Sequence, residues 1–378
     1  MRLFWFELKK IFSWKLILLL GIVNFLLFYL LLDSRLEYFP NGRPAKDLYA
    51  IEKQLIPLYG AQINEEEYQD IKRLYEERVR VADKIFASDP EAKELGISNY
   101  QDFRQIELNQ GELADYSSNL KFYEVKDILW ELQAWESLIE GYESREESLE
   151  GDIAQTTGAR QEVFQRLLEN ETYSFYSDVV TMDFKNYKTN LAIIVWISVA
   201  ILLSLVYVRD TRAKLVPLQY TSKEGRATYK VKWWAGMTAA TVLSVALTLF
   251  YMALYWTNGT QTHFGLPLSS FGWFTHWYDM TFLQYIVLSI GMIFFFSLLL
   301  SGLSLAISTM APNTIVLIGV QIPVIFIMIA GVSRYLIHDM INVFRPQVLT
   351  PVATGVFLIA TVLTVWLVWR REMKRNII

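Results

Sequence analysis

Apolar and polar positions alternate along this chain in long blocks. Apolar runs cover 16–32, 191–208, 233–256, 282–310, 314–332 and 352–369. Each is long enough, or nearly so, to cross a bilayer as a helix, which takes about 20 residues. The first run is interrupted only by Asn24, and no small-residue cleavage site follows it at Asp33-Ser34-Arg35. It is therefore expected to remain as a membrane helix rather than to be removed as a signal. The fourth run is long enough to tilt or to project beyond the bilayer. The fifth contains Pro323, where a backbone hydrogen bond is lost and a kink is expected.

The polar blocks have patterns of their own. In 1–14, Phe4, Leu8, Ile11 and Phe12 follow helical spacing while Arg2, Lys9 and Lys10 are polar. That suits a helix lying in the membrane interface, or a plain basic flank to the first span. The block 33–188 is rich in Glu, Lys, Leu and Tyr, with Gly60, Pro90, Gly96, Gly111, Gly141, Gly151 and Gly158 as breaks. Within 122–149, Phe122, Val125, Ile128, Leu129, Leu132, Trp135, Leu138, Ile139, Tyr142 and Leu149 recur at helical spacing and predict one buried face. The acidic run 143–150 reads as a solvated face.

These blocks predict an all-α polytopic membrane protein. It would have an N-terminal interfacial helix, six transmembrane helices and a large, mostly helical extracellular domain. The expected organisation is 1–32 (interfacial helix and first span), 33–188 (extracellular domain) and 189–378 (spans two to six).

Charge orients this layout. The block 33–188 holds 33 acids and 18 bases, whereas the remainder holds 17 bases and 6 acids. The segment 209–232 carries seven bases against Asp210 and Glu224. Short loops rich in Lys and Arg stay cytoplasmic. This places loop 209–232 and both termini inside and block 33–188 outside. The short outer loops, 257–281 and 333–351, hold only Arg334 and Arg345 as bases. Trp14, Trp233, Trp234, Tyr255, Trp256, Trp273, Trp277 and Trp369 lie near span ends, as an aromatic belt does.

Candidate chemistry is sparse. Cysteine is absent, which removes thiol nucleophiles and thiolate metal sites. His263, His276 and His338 lack metal-ligand spacing and read as interfacial residues of the outer loops; no metal site is expected. No Walker A sequence or Gly-Lys pair occurs, so no P-loop ATPase site is expected in this chain. No acid, base or histidine interrupts the six apolar runs, which argues against proton-coupled transport. Two stripes of small residues remain. Gly236, Ala240, Ser244 and Thr248 are spaced for close helix packing. Ser297, Ser301, Ser304 and Ser308 share one face of the fourth run; with Gln321 they either line a translocation path or bond to neighbouring helices.

At this point the layout resembles an ABC-2 type transporter permease, the six-span membrane subunit of a bacterial ABC exporter. Phe6-Glu7-Leu8-Lys9-Lys10-Ile11 resembles that family's interfacial elbow helix. Residues 215–226, LVPLQYTSKEGR, followed by Lys230 and Lys232, resemble its coupling segment. The stretch 333–350 resembles its outer re-entrant helices. Asp210 departs from the glutamate that many members carry just after the second span. The large domain between the first two spans occurs in some branches only.

The resemblance implies a non-enzymatic transport subunit without bound cofactor, working as a dimer with a second copy or a sister permease. Two cytoplasmic ABC ATPase subunits would bind ATP and Mg. Lys223, Glu224, Gly225, Arg226, Tyr229 and Lys230 would couple to them. The setting would be the bacterial cell membrane, with lipids and no nucleic acid as partners. The family's cargoes include drugs, peptides, lipids, polysaccharides and ions. The alternative is a membrane-anchored receptor or scaffold whose helical domain binds a ligand.

Overall fold

A computed structural model describes residues 2–107, 111–124, 126–222, 224–272 and 276–374. Val125, Lys223 and Trp273, all used above, lie outside the described residues. Among those described the fold is helical without strands. Two compact units form. The first comprises Met1–Glu37, Asp183–Gly259 and Leu283–Ile378; the second comprises Tyr38–Met182 and Thr260–Phe282.

Among the described residues six helices are long and apolar enough to cross a membrane, so the chain is a multi-pass membrane protein. The first span is Trp14–Leu31, preceded by the short helix Arg2–Ile11. The second is Val179–Ser204, continued after a turn by Val208–Arg212. The third is Ala227–Trp256 and the fourth Phe282–Met310. The fifth, Thr314–Ile327, runs on through Pro323 and becomes π-helical over Met328–His338. The sixth is Leu349–Lys374.

The second span is the centre of the first unit. In its most apolar stretch 72% of the residues are buried, against 6% in that of the first span and 11% in that of the sixth. Its neighbours are tied to it by polar side chains. Asn24 donates to Ser198 Oγ at 2.9 Å, and Asn190 donates to the Leu31 carbonyl at 2.7 Å. Tyr187 donates to the Tyr251 carbonyl at 2.6 Å, and the Trp196 indole to that of Ile293 at 3.3 Å. Each such bond is worth about 0.6 kcal/mol between membrane helices.

The apolar runs understate these helices. The second helix begins at Val179, so Lys188, which the sequence assigns to the polar block, is buried in the bundle. Its ammonium donates to Tyr285 Oη at 2.7 Å and Ser289 Oγ at 3.3 Å. The third helix likewise begins before Trp233 and buries Lys232. The runs themselves lack ionisable residues; the helices do not. Re-entrant helices at 333–350 are not found. That stretch is the end of the fifth span, a set of turns, and the first residues of the sixth.

One of those turns holds Asp339, which contacts Lys185 at 3.1 Å, Arg345 at 3.3 Å and His338 at 2.9 Å. Burial pushes its carboxyl upward, but hydrogen bonds and charge from His338 and Lys185 outweigh this and hold it well below the usual carboxylate range. A depressed folded pKa contributes stability above the unfolded value, about 3.9, and loses it as pH falls below that. Asp339→Asn should therefore lower the melting temperature at pH 6. The gap from wild type should narrow at pH 3; a constant gap would contradict the assignment.

The second unit is built on three helices, Ala45–Tyr59, Glu65–Ser88 and Asp127–Glu143. A capping box starts the second of them. Asn64 Oδ1 accepts from the Glu67 amide at 3.0 Å, and the Glu67 carboxylate accepts from the Asn64 amide at 2.9 Å. The predicted apolar face is real over Ile128, Leu129, Leu132, Trp135, Leu138 and Tyr142, all buried. Phe122 is exposed, because that helix starts only at Asp127. A new helix, Arg145–Gln155, follows Ser144 and carries much of the solvated acidic run.

Thr260–Phe282, which the sequence assigns to a short loop, folds as part of this unit. The Ser270 carbonyl accepts from the amides of Phe175 and Tyr176, both at 3.0 Å. His263 is fully buried rather than interfacial. Its Nε2 lies 3.3 Å from Glu52 Oε2, and its ring stacks on Tyr49 and Phe271.

Candidate functional site

A dense polar cluster of the first unit lies where the basic segment 209–232 meets the N-terminal helix. Lys10 comes from helix Arg2–Ile11, whose inward face also carries Glu7 and Ile11. Asp210 comes from Val208–Arg212, a single turn closed by Lys214 at φ 53°. That left-handed residue lets the Leu215 amide return to the Asp210 carbonyl at 3.0 Å. Gln219 and Tyr220 come from Val216–Thr221, which starts with Pro217 in its first turn. Tyr229 and Lys232 come from the first turns of the third span.

Asp210 is the hub. Its side chain is 3% exposed and that of Lys232 is 2% exposed, and the two form an ion pair. Lys10 Nζ reaches the other carboxylate oxygen at 2.8 Å. Gln219 bridges the pair: its Nε2 donates to Asp210 Oδ2 at 2.9 Å, and its Oε1 accepts from Lys232 Nζ at 3.0 Å. Glu7 lies 3.8 Å from Lys10. Burial lowers the Lys10 pKa, Glu7 opposes the shift and Arg209 adds to it. Two cations and two carboxylates thus join three chain segments in a partly dry setting. A buried pair of this kind is held by mutual satisfaction, so loss of one member is felt by all.

Around this hub, Tyr220 donates to Glu372 of the sixth span at 2.6 Å. Tyr207 donates to the Tyr229 carbonyl at 2.9 Å, and the Tyr229 ring packs on Tyr207, Trp233 and Trp369. Tyr229 is 2% exposed, so it belongs to the packing beneath the segment rather than to its surface. Glu224, Arg226 and Lys230 are exposed, and Gly225 turns the chain at φ 52°, a conformation that favours glycine. Of the described residues proposed for coupling, Glu224, Arg226 and Lys230 are exposed and Gly225 is partly so, whereas Tyr229 is buried.

The serine stripe is fully buried. Ser297 Oγ meets Ser244 Oγ at 2.5 Å, and Ser301 donates back to the Ser297 carbonyl at 2.7 Å. Ser308 donates to the Ser204 carbonyl at 2.8 Å and accepts from the Tyr207 amide at 3.0 Å. Gln321 donates to the Ala200 carbonyl at 2.8 Å and approaches Ser304 Oγ at 3.5 Å. In this conformation all five groups sit in seams between the fourth span and its neighbours. A Cβ on Gly236 would meet Leu305 at 2.8 Å, which accounts for the small residue there.

The second unit contains a cavity of about 700 Å³, lined in part by Arg145, Asp152, Tyr173, Phe175, Tyr176 and Asp178. That volume lies within the range of small-molecule sites. The Arg145 guanidinium stands over the Tyr142 ring at 3.7 Å from its centroid. Burial raises the carboxyl pKa of Asp152 and of Asp178. Among the described residues no group of three or more His, Asp or Glu is arranged to hold a metal ion.

Asp210 was visible in sequence as one of two acids among seven bases. Lys10 and Lys232 were visible as basic residues, but their convergence was not. Comparison with protein-family models, with curated proteins and with solved structures finds no match for this chain.

Proposed function

We propose that this chain is the membrane-spanning permease subunit of an ATP-driven exporter of the ABC-2 type. In this reading it moves an amphiphilic substrate, such as a peptide, drug or lipid, out of the cytoplasm or the inner leaflet of a bacterial cell membrane. A separate cytoplasmic ATPase supplies the energy, and a second permease copy or a sister protein completes the translocation unit. The observation that carries the reading is the Asp210 hub. It links the N-terminal helix through Lys10, the basic segment through Gln219 and the third span through Lys232. A displacement of the surface formed by Glu224, Arg226 and Lys230 would then pass to a span through ion pairs rather than dissipate in a loose loop. The serine seams support a bundle whose helices slide along polar contacts when a path opens.

Topology is the first test. The chain has no cysteine, so single cysteines can be introduced without background. Cysteine at Ser148, an exposed position, should react with an impermeant thiol reagent on intact cells. Cysteine at Ser222, also exposed, should react only after the membrane is opened. The reverse pattern would reject the orientation and the export reading with it.

The 700 Å³ cavity favours a second reading, a membrane-anchored receptor whose helical unit binds a ligand. A receptor would bind that ligand equally well with Arg226 reversed to Glu and would stimulate no ATP hydrolysis.

A further inference from the structure

We infer that the first unit holds an anionic phospholipid in the cleft between the N-terminal helix, the first span and the end of the second. This inference rests on the membrane assignment alone and is independent of export.

The cleft has a volume of about 230 Å³. One part is apolar, formed by Ile11, Leu16, Leu19, Leu202, Leu205 and Val206. The other carries Glu7, Lys10, Lys15 and Arg209. Glu7 and Asp210 are engaged with Lys10, and Asp210 also with Lys232. Lys15 and Arg209 are exposed, and among the described residues neither has a carboxylate within ion-pair distance. Arg209 also lies close enough to Lys10 to lower its pKa, although burial lowers it more and Glu7 opposes the shift, so Lys15 and Arg209 add two positive charges beside a Lys10 that is already paired.

Position selects the ligand. Lys15 sits in the first turn of the first span, beside exposed Trp14, and Arg209 in the last turns of the second. Both mark the end of an apolar run, where headgroups lie. An acyl chain fits the leucine-lined part, and a phosphate fits between the two free cations. A zwitterionic headgroup would bring an ammonium toward the same cations. The chemistry therefore favours a net negative lipid.

The test uses the full chain purified in detergent, with phosphatidylglycerol or phosphatidylcholine added and retention read by native mass spectrometry. Wild type should retain phosphatidylglycerol preferentially. The double variant Lys15→Gln/Arg209→Gln should weaken that retention about 25-fold, from roughly five-fold per charge at a membrane surface. A control variant, Arg2→Gln/Lys9→Gln, removes two exposed charges of the N-terminal helix that do not line the cleft. It should retain the lipid as wild type does. An equal loss in both variants would overturn the site in favour of diffuse attraction. Displacement of the lipid by millimolar inorganic phosphate would overturn it in favour of a simple anion site. Equal retention of the two lipids by wild type would also overturn it.

Discussion

Replacing Asp210 by alanine should destabilise the first unit by about 3–5 kcal/mol, the cost of leaving a buried charge without its partner. The side chain of Lys232 is 2% exposed and would lose its ion-pair partner while keeping its hydrogen bond to Gln219 Oε1. Lys10 is less affected, because it retains Glu7 and is partly solvated. A fall of roughly 10 °C in the melting temperature of the purified protein is expected. Asp210→Leu combined with Lys232→Met should recover much of that loss. A buried ion pair replaced by apolar groups of similar volume is often neutral. Melting of Asp210→Ala within a degree or two of wild type would mean that the hub does not hold the three segments together.

The second large effect concerns the other unit. Glu52 is fully buried, accepts from the Ser177 amide at 2.6 Å and faces His263 at 3.3 Å. Glu52→Ala leaves a buried amide and a buried imidazole without this partner. Each unsatisfied group costs about 1–3 kcal/mol. The contact joins helix Ala45–Tyr59 to both the 175–178 stretch and the Thr260–Phe282 segment, so all three should loosen together. Limited trypsin digestion should cut within 38–182 several times faster, with cleavage of the first unit unchanged. Glu52→Gln keeps an acceptor for Ser177 and should stay close to wild type. Equal digestion of wild type and Glu52→Ala would remove Glu52 from this structural role.

The spans were legible because membrane helices are written as continuous apolar runs, and their number and order follow directly from those runs. Their ends were less legible. Lys188 and Lys232 continue helices that hydropathy stops short of, because a buried lysine looks like a boundary until its partners are known. The apolar face of Asp127–Glu143 was legible from its spacing, whereas the break near Ser144 was not. Nothing local marked Glu52 or His263, which are 211 residues apart in the chain. The same is true of the hub: Lys10 and Asp210 are 200 residues apart. Tyr229 shows the converse. Among charged neighbours it reads as a surface aromatic, yet helical phase turns it under Trp369.

In the proposed function, the surface at Glu224, Gly225, Arg226 and Lys230 takes up work from an ATPase. The direct measurement is ATP hydrolysis by the tagged chain purified from its native membranes in mild detergent, for wild type and for Arg226→Glu/Lys230→Glu. A P-loop ATPase should co-purify with wild type. Reversal of the two charges should lower its recovery tenfold or more, as expected for about 2 kcal/mol lost at a charged interface. The melting temperature should not change, since both residues are exposed. Wild-type chain that purifies without any nucleotide-hydrolysing partner, or a partner retained equally after both reversals, would contradict that function.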